Sequence, residues 1–192
     1  MKKTIIGGVV GGIVLWVWGF LAWVILPLHT PAMRNIMNED AVIGSMRSAL
    51  DVKSVYVFPA MPADRSNQEA MDAWTQKYRR GPTGMIIYDP AGSDPMMPAQ
   101  MIVGLVIFIL SAFLASWFLS RSTAAASSYL TRVIYCGMLG IFVSFIAHLS
   151  AWNWMGYPLD FTTGMMIDTV IGWLLAGLGI AAIVKAPKME SA

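Results

Sequence analysis

Four long apolar runs and one polar stretch divide this chain. Residues 5–26, 99–120, 133–151 and 161–184 are almost free of charge, whereas residues 27–98 hold most of the Asp, Glu, Lys and Arg. A hydrocarbon core of about 30 Å takes about 20 helical residues at about 1.5 Å each, and each run is of that order. The pattern predicts a membrane all-α fold: a four-transmembrane-helix bundle, with a small α+β extracytoplasmic insertion between the first and second helices. The links are a loop at 121–132 and a turn at 152–160, and residues 185–192 form a tail. A cleaved signal peptide competes for the first run. Its apolar core would be about 7–15 residues long and would end in an A-x-A-like site. This run is longer and reaches Trp23, Val24 and Pro27 without one, so a retained helix is expected.

The polar stretch carries element signals of its own. Asn38 is a candidate N-cap, followed by Glu39 and Asp40 in the first turn, where acids suit the helix dipole. Val42, Ile43, Met46 and Leu50 repeat at helical spacing. Residues 54–58 (SVYVF) read as a strand. Ser66 with Glu69 reads as a capping box opening a helix to about Tyr78, and Gly81 and Pro82 break it. Residues 83–88 (TGMIIY) read as a second strand. A strand–helix–strand crossover would make the two strands parallel if they pair.

Inside the apolar runs, small residues recur at helical spacing. Gly7/Gly11 and Gly8/Gly12 are overlapping GxxxG pairs, which let helix backbones approach closely. Gly104, Ser111 and Ala115 mark a small face on the second helix, and Gly137, Gly140, Ser144 and His148 one on the third. On the fourth, Gly164, Asp168, Gly172 and Ala176 recur every four residues and share a face. A carboxylate facing lipid at mid-depth costs about 2.5–3.5 kcal/mol, so Asp168 should face protein or water.

The short 152–160 turn makes the last two helices antiparallel neighbours. Ser144 and Asp168 then both lie about 10 Å deep at about 1.5 Å per residue, with His148 one turn above Ser144. The two small faces are expected to pack together, which makes Asp168, His148 and Ser144 the candidate intramembrane polar site. It could be interhelical hydrogen-bonding glue, or a ligand or proton site, or Asp168 and His148 could lie apart.

Composition narrows the function classes. Hydrophobic residues make up 57% of the chain and charged residues 12%, against about 25% charged in a soluble domain. A net charge of +2 gives no reason to expect nucleic acid as a partner. Cys136 is the one cysteine, and no CxxC, HExxH or phosphate-cradling glycine loop occurs, so no metal and no cofactor is expected. The Ser144/His148 spacing is a weak hydrolase signal, without an oxyanion motif to support it. A bis-His haem needs a second histidine at the same depth, and His29 lies at the outer end of the first helix. Tyr56, Phe58, Trp74, Tyr78 and Tyr88 with Lys77, Arg79 and Arg80 could bind an anion, or be a helix end whose cations suit the dipole. Asp94 to Pro98 reads as a re-entry corner.

Lys2, Lys3, Arg121, Arg132, Lys185 and Lys188 fall on one side of a four-span chain, so the positive-inside rule puts both termini in the cytoplasm. The first span (GGVVGG), the end of the outer segment (GPTGMIIYDPAGSDPM) and the last helix pair (AWNWMGYPLDFTTGMMIDTVIGWLLAG) together resemble uncharacterised small bacterial four-helix integral membrane proteins. That resemblance implies the bacterial inner membrane and assigns no site residues. The function expected is non-catalytic: an accessory, assembly or scaffold subunit, with the lipid bilayer and a membrane-protein partner or a second copy around it. A small transporter or proton-linked binding protein using Asp168 and His148 is the alternative.

Overall fold

The computed structural model describes residues 1–26, 28–125 and 128–185. Pro27, Lys188 and most of the 185–192 tail lie outside the described residues. Two compact units are present: Met1–Arg34 together with the chain from Met96 onward, and Asn35–Pro95.

The first unit is built on four helices long and apolar enough to cross a membrane. They are α1 (Lys2–Ile25), α4 (Pro98–Arg121), α5 (Tyr129–Met155) and α6 (Leu159–Ile183). Large side chains such as Ile102, Leu110, Phe142 and Ile146 are exposed on their outer faces. In water that much apolar surface would drive association; in a bilayer it meets lipid. By length and composition this is a multi-pass membrane protein.

Small residues set the packing. α1 lies against both α4 and α6, α6 also lies against α5, and α4 and α5 barely touch. Gly8 and Gly12 seat the α4 backbone, where an added Cβ would meet the Cα atoms of Phe113 and Ile109 at 2.7 and 2.5 Å. Both GxxxG faces are therefore filled within the chain, Gly7 and Gly11 facing Val184 and Ile180. On α4 the expected small face is corrected. The buried stripe is Ala112, Ala115, Ser116 and Leu119, while Gly104 has open space around it. The core cluster of Leu15, Ala112, Ala115, Cys136, Ala176 and Ile180 fills the half of the bundle nearer the termini. There Arg132 Nε donates to Ala181 O and Tyr129 Oη to Leu178 O, meeting carbonyls near the C-terminal end of α6.

Two helices loosen into π turns near the other end, α1 at Leu21–Ile25 and α5 at Ser144–Leu149. Such turns widen the backbone and occur often at functional sites.

The second unit runs α2 (Glu39–Ala49), β1 (Ser54–Phe58), α3 (Gln68–Arg80) and β2 (Gly84–Tyr88). The strands pair antiparallel, Ser54 opposite Tyr88 and Phe58 opposite Gly84, which corrects the parallel expectation. Residues 59–67 carry the chain out from the Phe58 end and α3 carries it back to that same end. The helix alone does not make the crossover, so the handedness argument for parallel strands does not apply. The caps shift as well. Asn38 precedes α2 with φ of 55° and makes no side-chain cap bond. Asn67 caps α3 by accepting from Ala70 N at 3.1 Å. Ser66 instead donates to Asp64 from its hydroxyl at 2.6 Å and its N–H at 2.9 Å, holding that carboxyl below its usual range.

None of the described residues 35–95 is buried. A two-stranded ribbon is marginal alone. Hydrogen exchange on the full chain should show slowed amides within 54–58 and 84–88, though far less slowed than those of the spans. Exchange as fast as in an unstructured peptide would rule out the ladder.

Candidate functional site

Asp168 is held on α6 by a helix that starts cleanly. Pro158 precedes it, and Asp160 accepts from the Phe161 N–H at 2.8 Å. Thr162 and Thr163 return their hydroxyls to the carbonyls of Pro158 and Leu159, which spares them from lipid. One face then carries Gly164, Asp168 and Gly172, as the spacing predicts.

The neighbour of that face is α1, and this corrects the expected contact with Ser144 and His148. The Trp18 indole N–H donates to Asp168 Oδ1 at 2.6 Å and also reaches the Asp168 carbonyl at 3.1 Å. Gly172 makes room for that indole, since an added Cβ would lie 2.8 Å from Trp18 Cδ1. Gly164 does the same for the chain just beyond α1, where an added Cβ would lie 3.2 Å from Leu28 O.

The second oxygen of the acid faces His29. Nε2 stands 3.4 Å from Asp168 Oδ2, with the His29 side chain 2% exposed and the Asp168 side chain 14%. That is ion-pair distance without hydrogen-bond alignment, and among the described residues neither ring nitrogen of His29 has a hydrogen-bond partner. The ring is stacked on Trp23, with centroids 3.9 Å apart and planes 8° from parallel. Trp18 and His29 thus meet one carboxylate, although eleven more residues of helix would carry the chain about 16 Å onward. Beyond the π turn, Leu28 and His29 lie beside Gly164, and from there the His29 ring reaches Asp168.

The α5 face lands beside this cluster, on the other side of α6. Gly140 seats α6 near the Thr169 carbonyl and Trp173, and Gly137 meets Leu174. His148 Nε2 lies 2.9 Å from Thr169 Oγ1. The Ser144 hydroxyl donates to Gly140 O at 2.8 Å, with a longer contact to Met166 O at 3.4 Å. The partners of Ser144 and His148 are thus Gly140 and Thr169 rather than each other. A cavity of about 240 Å³ opens beside His148, lined by Ala151, Tyr157, Phe161, Thr162 and Met165.

The polar belt therefore runs from His29 through Asp168 and Thr169 to His148, across α1, α6 and α5. Of its members, Asp168 and His148 stand out in the sequence; His29, Trp18 and Trp23 do not. The usable signal is a histidine just beyond the first span, at the end where the last span begins. Among the described residues no group of three His, Cys, Asp or Glu side chains gathers to hold a metal.

In the second unit, the aromatic residues split into Tyr56 against Tyr88 and Trp74 against Tyr78. Trp74 also donates to Pro59 O at 3.2 Å, and Lys77, Arg79 and Arg80 occupy the last turn of α3. Lys53 Nζ lies 2.7 Å from Asp89 and, by that hydrogen bond, keeps the carboxyl below its usual range. Compared with known proteins, the chain matches no family model, no curated protein and no solved structure.

Proposed function

We propose that this chain is a non-catalytic integral membrane protein, an accessory, assembly or scaffold subunit of a complex in the bacterial inner membrane. Both termini are assigned to the cytoplasm and the 27–98 segment to the outside, on the cluster of Lys2, Lys3, Arg121, Arg132 and Lys185 at one end of the spans. The observation that carries the reading is the second unit. It has a paired ladder and a capped helix, yet buries none of its described residues. Val55 and Val57 of β1 share a ribbon face with Ile87 of β2, which is paired with Val55, and all three are more than half exposed. A folded element with a bare β-branched face is what a partner protein would cover.

The test is cross-linking in cells followed by mild detergent extraction, with the wild-type chain beside Val55→Lys/Ile87→Glu. The opposite charges keep the cross-strand pair favourable while removing the apolar face. Each side chain buried at an interface contributes about 1.5–3 kcal/mol, so the adduct with a second protein should fall at least about tenfold. A solitary wild-type monomer, or an adduct indifferent to the substitution, would end the scaffold reading. The competing reading, a small transporter or proton-linked binding protein, keeps one observation in its favour: a buried histidine beside Asp168, and that histidine is His29.

A further inference from the structure

We infer that His29 and Asp168 form a buried one-proton site, a pair that holds a single proton between an imidazole and a carboxylate. This is independent of the scaffold reading, and either can fail alone.

Two features point to it. The first is an unspent binding capacity: the His29 side chain is 2% exposed and, among the described residues, neither ring nitrogen has a hydrogen-bond partner. A buried polar group without a partner is rare and calls for an occupant or a function. The second is charge balance. With a neutral ring and an ionised acid the cluster would carry a bare negative charge inside the bundle, where ionisable groups are found paired. The Trp18 N–H that meets Oδ1 is neutral, and among the described residues the ion-pair partner of Asp168 is His29. One proton, on the ring or on the acid, makes the pair net neutral.

The surroundings suit that state. Trp23 stacks its face on the His29 ring at 3.9 Å and keeps other side chains off that side of the ring. From α5 the titratable group near the acid is His148, on the other side of α6 and tied to Thr169, the residue after Asp168. At the head of α6, Asp160 is occupied by the Phe161 N–H. On α1 the contacts are Trp18 and Trp23, which do not titrate. The step itself is simple: a proton from water at the end of the bundle away from the termini binds a ring nitrogen or Asp168 Oδ2. One N–H or O–H bond forms, and release returns the proton to water.

The experiment uses the full chain in nanodiscs near neutral pH, with ring-¹⁵N histidine. The chain has two histidines, so His148→Gln assigns both sets of signals. Infrared spectroscopy reads the acid carbonyl band. The proposal expects either two protonated ring nitrogens at His29 or an acid carbonyl band that is lost in Asp168→Asn. It also expects a larger shift of the His29 ring signals than of the His148 signals in that variant. A neutral His29 ring beside an ionised Asp168 overturns it, as do His29 signals that ignore Asp168→Asn. Should the variant fail to fold, the wild-type spectra decide the question alone.

Discussion

Gly12→Ala should loosen the α1–α4 contact and cost about 1–3 kcal/mol, whereas Gly104→Ala should cost nothing. The contrast comes from what the new methyl group meets. At residue 12 it would lie 2.5 Å from Ile109 Cα and 2.7 Å from Ile109 N, so the obstacle is backbone. Rotating a side chain cannot relieve that; the helices must separate. At residue 104 nothing lies within 4 Å. Helix propensity pulls the other way at both sites, since alanine is favoured over glycine by about 1 kcal/mol in a helix interior. At residue 104 that preference acts unopposed. At residue 12 the overpacking outweighs it, because the separation also exposes the Gly8 contact with Phe113 Cα one turn away. Reversible unfolding in a bilayer mimetic measures both variants. Equal stabilities would show that α1 and α4 are not in backbone contact.

Those contacts also mark how far the sequence can be read. Spans are legible because an uncharged run of bilayer length has few other uses. Small faces are legible on α1 and α5, where glycines recur three or four residues apart. On α4 they are not. Its outer and inner residues are all apolar, so hydrophobicity selects no face, and Gly104, Ser111 and Ala115 look as good as the true stripe of Ala112, Ala115, Ser116 and Leu119. The neighbour decides, and α1 is distant in sequence.

The strands at 54–58 and 84–88 are legible from β-branched content, but their direction is not. It depends on where residues 59–67 go, and no periodicity records that. Asp168 is the sharpest case. That it faces protein follows from the cost of a carboxylate in lipid; which protein does not. Counting depth along ideal helices puts His29 far from it. The π turn at Leu21–Ile25, with Leu26 extended after it, ends the ideal helix, and Leu28 and His29 lie beside Gly164. The segment after α1 does not continue its helix, so His29 occupies the place that the spacing offers to His148.

The same pair sets the largest effect expected at the site. Asp168→Leu should destabilise the bundle by about 3 kcal/mol. Hydrogen bonds between membrane helices average only about 0.6 kcal/mol, so the bond to Trp18 alone would not reach that figure. The larger part is the group left behind: removing one partner of a buried ionisable pair costs about 3–5 kcal/mol, because the other stays buried without compensation. The lower end applies here, since Trp18 keeps the Asp168 main-chain carbonyl at 3.1 Å whatever the side chain. Asp168→Asn retains an oxygen for the indole and should cost about 1 kcal/mol. His29→Leu leaves the acid exposed to the same penalty in reverse. The double variant His29→Leu/Asp168→Leu should then be more stable than Asp168→Leu, because an apolar pair leaves nothing unpaired. A double-mutant cycle in nanodiscs reads this directly, with a coupling of at least about 1 kcal/mol expected for groups in contact. Strict additivity would mean that the 3.4 Å approach of His29 to Asp168 carries no energy and that the acid is held by Trp18 alone.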